Sequence, residues 1–411
     1  MIVMPRRIDP GELATVLLPG GLTLVSACSA ESTVLADAVE TAGAALGAMT
    51  FAGIFVGGLN RRTWRAGPKA RVLTFFLTPD LRAEADRVEF LPLCYQDILV
   101  ELRRRKPTAA LFMCSPPDAD GLCSFGTEVA FIAELWREIP VRIAHINSLM
   151  PQTRGSFGIP FDALTAYVEQ DQPLAGTPAA EPDAVASAIA AHVARFVPDG
   201  ATVQAGLGKL PDAVFGALGA HRDLNAHTGL MGDGLLRLIE AGAVRHATVG
   251  VAIGSARLYA SLDHPAIHFA PVSITHGAES LAAIDDLVTI NSGIEVDLFG
   301  QVYAELTPRG LMSGPGGASD YARGARGHGL RIVALPANAG NGTISRIVAP
   351  GQAAGPVSLG RMDVDVIVTE HGAADLRGLG YEARALALIA IAAPDRRDTL
   401  AEQWAAYARK L

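Results

Sequence analysis

"LPGGLTLV" (residues 18–25) and "VPDGATVQ" (197–204) carry one pattern twice: Pro-x-Gly-x-Thr followed by an apolar residue, with Asp-Ala-Val downstream at 37–39 and again at 212–214. In each copy a glycine-bounded turn feeds a short apolar strand, then a loop of small residues, then an amphipathic helix, which is the opening of a βα unit. The repeat predicts two related domains. Further apolar runs, "AALFMCS" (109–115), "VRIAHIN" (141–147), "ATVGVAIG" (247–254), "LVTIN" (287–291), "RIVALP" (331–336) and "VDVIVTE" (364–370), alternate with helical patterns. That alternation predicts an α/β fold of open, mostly parallel sheets with helices on both faces. "DQPLAGTPAAEPDA" (171–184), rich in Pro and Ala, reads as the linker. The predicted boundary lies near residue 180, giving an N-terminal α/β domain over 1–180 and a C-terminal one over 181–411.

Composition agrees with this class. The chain has 411 residues, half of them hydrophobic and 18% charged, with 43 glycines; buried parallel strands need apolar runs, and their loops need glycine. A net charge of −8 argues against a nucleic-acid partner. The basic clusters are small: Arg61-Arg62, and Arg103 to Lys106, which ends a helical pattern just before Pro107 and suits the carbonyl end of the helix dipole. Cys28, Cys94, Cys114 and Cys123 show no C-x-x-C spacing, so neither a disulfide framework nor a zinc site is expected, and a reducing cytoplasm fits. No apolar stretch is long enough to span a bilayer, so a soluble protein without a membrane partner is expected.

Ligands of open α/β sheets bind beyond the carboxyl ends of the strands, which directs attention to the loops there. "QAGLGKLPDAV" sets Gly206 and Gly208 between a strand and a helix, where bare backbone lets N–H groups approach an anion or a thioester oxygen; simple chain geometry is the alternative. "SGPGGASDYARGA" (313–325) places Gly314, Gly316 and Gly317 before a helix that Ser319 or Asp320 can cap, a cradle for an oxyanion or phosphate. "INSGIEVDLFGQVYAE" (290–305) reads as a hairpin turning near Gly300-Gln301, with Glu295 and Asp297 on one side of a strand. Acid/base work is one role for that pair, and holding loop backbone is the one ranked first. His227, His276 and His371 are read into loops at strand ends, with His227 foremost because it adjoins Gly229. Cys28 and Glu31 follow the first repeat strand in "VSACSAES"; no activating base for the thiol is evident, so a buried structural cysteine is expected. "NAHTGLMGDG" (225–234) reads as a turn between a buried strand and a helix, with Gly229 at its centre.

Together with "SPPDADGLCSFG" (115–126), "GTISRIV" and "VIVTEHGAADLRGL", these motifs resemble the acetyl-CoA hydrolase/transferase family, which includes the 4-hydroxybutyrate and butyrate:acetate CoA-transferases. The resemblance runs over nearly the whole chain. It implies two related α/β domains with the active site between them, and a CoA-thioester site lined by the Gly206/Gly208 loop with Lys209 and by the Gly314/Gly316/Gly317 loop with Ser319. The latter loop supplies an oxyanion-type N–H. In the family, a glutamate in a stretch like H-[ST]-E-[ML] attacks the acyl-CoA and passes through an anhydride to a glutamyl-CoA thioester. Here the stretch is His227-Thr228-Gly229-Leu230, with no carboxylate. The loop "FVGGLNRRTWRAGPKA" (55–70) is also shorter than the family's counterpart.

Three readings follow from the missing glutamate. In the first, water or an acceptor hydroxyl or amine attacks the thioester directly, with His227 or Asp233 as base. In the second, another carboxylate such as Glu295 or Glu31 takes the nucleophile's part. In the third, the protein only binds acyl-CoA. The expected substrate is an acyl-CoA or acyl-pantetheine, with a second small acceptor in some readings. No permanently bound cofactor or metal is expected, coenzyme A entering as part of the substrate, and a homo-oligomer fits enzymes of this kind.

Overall fold

A computed structural model describes residues 4–60, 64, 66–155, 157–178, 181–206, 208–327 and 329–410. Arg61 and Arg62, and residues 179–180 of the expected linker, lie outside the described residues. The chain forms two compact units, residues 1–178 with 248–275, and 179–247 with 276–411. The segment 248–275, which the sequence boundary assigns to the C-terminal half, packs with the N-terminal unit. Its backbone is bonded there: Val129 N–H donates to Gly250 O (3.0 Å), Ala252 N–H to Thr127 O (2.9 Å) and Phe269 N–H to Arg154 O (2.8 Å). The strand Val244–Ala252 carries the chain from the second unit into this segment.

The first unit is built on an eight-stranded sheet. Its strands are β1 (Arg6–Arg7), β2 (Gly21–Val25), β3 (Met49–Gly53), β4 (Arg71–Thr74), β5 (Val88–Phe90), β6 (Ala109–Cys114), β7 (Val141–Ile146) and β8 (Ala166–Glu169). They lie in the order β1-β8-β7-β6-β2-β3-β4-β5, every neighbour parallel. All six residues of β6 are buried, as expected of a central strand covered on both faces. Helix α1 (Thr33–Ala42) follows β2 and is capped by Ser32, whose Oγ accepts from Leu35 N–H. Helix α2 (Tyr95–Arg105) ends in the Arg103–Arg105 cluster, which is paired with Glu89, Glu101, Glu134 and Glu138. Its charges are therefore absorbed at a helix end.

In the second unit, β9 (Thr202–Ala205) repeats the place of β2. The next strand in sequence, β10 (Leu224–Met231), pairs parallel on one side of it, and β11 (Leu287–Ser292) on the other. A short hairpin, β12 (Glu295–Asp297) and β13 (Val302–Tyr303), turns at Gly300 as its sequence predicts. The sheet continues through β14 (Leu330–Ala334) and β15 (Val366–Thr369), both parallel, to the antiparallel β16 (Gly372–Asp375). Helices α3 (Ala184–Ala194), α4 (Lys209–Ala217), α5 (Asp233–Glu240), α6 (Ala318–Gly324), α7 (Tyr381–Ala390) and α8 (Arg397–Ala408) complete this unit. The two halves are thus copies of one βα plan, each with its repeat strand at the centre of a parallel sheet. Among the described residues no helix is long and apolar enough to cross a membrane.

The first unit also buries two carboxyl groups beyond β2. Glu128 accepts a hydrogen bond from Ala27 N–H at 2.9 Å, but burial, with the nearby Glu31 adding, pushes its pKa up to about 8. The same surroundings push the Cys28 thiol up, burial first and then Glu128 and Glu31, so this cysteine is not primed as a nucleophile. Because Glu128 holds its proton more tightly folded than unfolded, its contribution is present below about pH 4.5 and is lost as pH rises through about 8. Glu128→Gln keeps an acceptor for Ala27 N–H without that loss. Its melting temperature is expected to exceed that of the native protein, by more at about pH 8 than at about pH 5. Equal shifts at the two pH values would show that Glu128 is ionised in the fold.

Candidate active site

The site is built around β10. Its residues His227, Thr228 and Gly229 lie within the strand, not in the turn their sequence suggests, and only Gly232 separates Met231 from α5. The strand stays extended because β9 pairs with it, Thr202 opposite Asn225 and Val203 opposite Ala226. Alternation along the strand then sorts the side chains. Thr228 turns its hydroxyl to Ala205 O at 2.7 Å, whereas His227 and Gly229 share the other face. His227 is 7% exposed and Thr228 1%.

What faces Gly229 is the ring of His276. A Cβ on Gly229 would stand 2.7 Å from His276 Nε2, nearer still to Cε1, and 3.4 Å from the Tyr321 hydroxyl. Gly317, the residue capping α6, meets the same ring: a Cβ there would lie 2.6 Å from Nε2. Two glycines from distant parts of the sequence therefore make room for one imidazole. Tyr321 closes it from the side, its ring centroid 4.8 Å from that of His276. His276 is 4% exposed, and burial followed by the charge of His227 pushes its pKa down to about 3. It is neutral near neutral pH.

The glycine loops differ in surroundings. Among the described residues, chain neighbours aside, no heavy atom lies within 4 Å of where a Cβ would project at Gly206 or at Gly208, and Gly208 holds a φ of +119°. The Gly206/Gly208 loop therefore keeps open space at the carboxyl end of β9. Lys209, the first residue of α4, is ion-paired with Asp183 at 2.7 Å, and Asp183 also caps α3 by accepting from Ala186 N–H. Asp212, from the repeated Asp-Ala-Val, accepts from Gly234 N–H at 3.1 Å, which ties α4 to the start of α5 beside the buried Asp233.

Gly314 and Gly316 precede Gly317, with Gly316 at φ +63°. Neither Ser319 nor Asp320 caps α6. The cap is Gly317, and the Ser319 hydroxyl donates instead to Ser358 O at 3.1 Å. Glu295 accepts from Ala354 N–H at 2.7 Å, and Asp297 accepts from the backbone of Phe299 and Gln301. Both carboxylates are engaged in holding loops. His371 lies after β15, 3.8 Å from Glu370. Glu31 is in the first unit, where its carbonyl accepts from Gln172. Of the three candidate histidines, the one whose ring meets Gly229 is His276, joined there by Tyr321, which lies outside the candidate residues of the sequence. A helix-phase match of Gly317 and Tyr321, four residues apart, is the only sequence sign that both face one point.

Comparison with known proteins gives this geometry its context. Residues 254–404 match the family described as acetyl-CoA hydrolase/transferase C-terminal domain. The chain is 33% identical over 355 residues to succinyl-CoA:cyclohexane-1-carboxylate CoA transferase of Geobacter metallireducens, covering 82% of this chain and 80% of the relative. It is 32% identical over 332 residues to 4-hydroxybutyrate coenzyme A transferase of Clostridium kluyveri, covering 77% of each. The crystal structure of RipA from Yersinia pestis superposes with a TM-score of 0.89 at 28% identity, over 97% of this chain and 96% of that one. Likeness at this level, through most of both sequences and the whole fold, has one consequence: the chain belongs to the acetyl-CoA hydrolase/transferase family.

Proposed function

We propose that this protein processes acyl thioesters of coenzyme A, or of a carrier-bound pantetheine, by direct attack on the thioester carbonyl, without a glutamyl intermediate. The observation that carries the reading is the His276 ring against bare Gly229, in the volume a glutamate side chain at that position would need. Gly229 offers no oxygen to acylate. In its place stands a neutral imidazole, able to hydrogen-bond without charge, as a carbonyl-polarising group requires.

The attacking oxygen, or an acceptor's nitrogen, adds to the carbonyl carbon while His227, on the same strand face as Gly229, takes its proton. The tetrahedral oxyanion is held by His276 and by the Gly316/Gly317 loop, a type of contact worth about 3 kcal/mol of barrier. Collapse breaks the carbon–sulfur bond, and the thiolate leaves with the proton returned from His227. Water gives an acid; an alcohol or amine gives an ester or amide. A charge on His227 disfavours a proton on His276, which keeps the second imidazole neutral. The open Gly206/Gly208 loop supports a place for the CoA portion. Asp233 is the other base candidate, and Asp233→Asn against His227→Gln separates the two. Transfer through Glu295 is disfavoured because that carboxylate already accepts from Ala354 N–H.

The test is free-thiol release by the purified protein from a panel of acyl-CoAs, with and without carboxylate, alcohol and amine acceptors. Release with water alone, or with an alcohol or amine, is the expected result. Release that requires a carboxylate would revive CoA transfer, and saturable binding without turnover on any thioester would leave a binding protein; either result overturns direct attack.

A further inference from the structure

At the amino ends of β14 and β15, away from the carboxyl ends where Gly229 lies, the second unit holds a pocket of about 410 Å³ lined by four arginines, Arg331, Arg361, Arg377 and Arg384. In a chain of net charge −8, that concentration of cations needs a counter-charge. Two of them have it. Arg331 is bidentate with Asp365, at 2.9 Å from Nε and 2.8 Å from Nη2, and Arg377 is paired with Asp375. A fifth arginine nearby, Arg326, is matched by Asp363.

Arg361 and Arg384 are not matched. Among the described residues Arg361 makes neither an ion pair nor a hydrogen bond, and the Arg384 guanidinium donates only to the carbonyls of Phe299 and Leu376. They stand close enough to oppose each other's charge, with Arg361 second only to burial in lowering the Arg384 pKa. The one carboxylate among the described residues lining the pocket, Asp365, is bidentate with Arg331, so the charges of Arg361 and Arg384 are left without a direct partner, and an anion beside them would lower the energy of the pocket. The same pocket is lined by "LRGLGY" (376–381), whose Gly378 and Gly380 bring backbone to it at the start of α7, where no side chain caps the first turn. Glu382, the acidic residue of that turn, accepts from Trp404 Nε1 at 2.7 Å.

We infer that this pocket binds a phosphoryl group, held by Arg361 and Arg384, at a site separate from the one around Gly229. Bidentate guanidinium donors match phosphate oxygens, and a dianion satisfies two arginines at once. Tyr381, 46% exposed on the rim, has its ring in edge-to-face contact with Phe299, the centroids 5.3 Å apart. The inference does not depend on the thioester reading.

The experiment is calorimetric titration of the full chain with inorganic phosphate and, separately, with ADP at constant ionic strength. Native protein, Arg361→Gln and Arg361→Glu are compared, with melting curves recorded for each. Saturable binding by the native protein is expected, weakened about tenfold by Arg361→Gln and abolished by Arg361→Glu. Without ligand both variants should melt no lower than the native protein, because the Arg361 side chain holds no contact of the fold and losing its charge relieves the repulsion on Arg384. Tighter binding of ADP than of phosphate, lost in the same variants, would identify a nucleotide as occupant; equal binding would identify the phosphoryl group alone. Absence of saturable binding, or binding that survives Arg361→Glu, would overturn the assignment.

Discussion

Gly229→Glu is expected to damage the second unit rather than restore a nucleophile, whereas the same change combined with His276→Ala is expected to fold and to gain carboxylate-dependent CoA exchange. The reason is steric before it is chemical. A Cβ at 229 falls 2.7 Å from His276 Nε2, well inside van der Waals contact, and neither partner yields easily. The strand is held in register by β9, and the ring is packed against Tyr321 and Gly317. Overpacking a dense interior costs about 1–3 kcal/mol, and a carboxylate left buried beside a neutral ring adds to it. Removing the imidazole empties that volume for the longer side chain. Melting curves check the first half, and trapping a glutamyl-CoA thioester with hydroxylamine or borohydride checks the second. A single variant that melts like the native protein and traps CoA would mean that His276 swings away freely. A double variant that folds yet never traps CoA would mean that Gly229 does not occupy the glutamate's place.

The sequence carries the sheets well and this contact poorly, for a physical reason. Strands such as β6 and β15 are continuous apolar runs because both faces are covered, a requirement that acts residue by residue along the chain. The Gly300 hairpin is equally local. The engagement of Asp297 with loop backbone follows from its place just before that turn, whereas the Ala354 N–H held by Glu295 comes from a loop far along the chain. His276 is different: it lies between two short helices, and its contact with Gly229 arises only when that segment folds back over β10. Adjacency in sequence favours His227, which shares the strand face but does not fill the space above Gly229. Likewise the ion pair that α3 brings to Lys209 through Asp183 has no sign in the sequence around the glycine turn. Segment 248–275 joins the first unit through backbone bonds to residues 127–130 and 154 that no pattern in its own sequence announces.

His276→Gln is expected to keep the fold and to lower thiol release about 10²–10³-fold, the loss typical of removing one group that stabilises a developing oxyanion. Glutamine is neutral and of similar reach, so the space between Gly229, Gly317 and Tyr321 stays filled while the imidazole is lost. Stability then supplies a readout independent of turnover. The folded pKa of His276, about 3, lies below its ordinary value of 6.5, so between these limits the unfolded chain binds the proton more strongly. The stability tied to the neutral ring is fully present above about pH 6.5 and is lost as pH falls toward about 3, at up to about 1.4 kcal/mol per pH unit. His276→Gln cannot take up that proton. Urea titrations at about pH 7.5 and about pH 5 should show the native protein losing more stability than the variant over this interval. His227, the charge that faces the ring, sharpens the test, because His227→Gln removes the repulsion and raises the His276 pKa. Identical pH slopes for native protein and His276→Gln would place a charged or solvated imidazole at 276, which the packing against two glycines does not permit. Unchanged thiol release in a variant with the altered slope would confine His276 to filling space and leave the carbonyl to the Gly316/Gly317 loop alone.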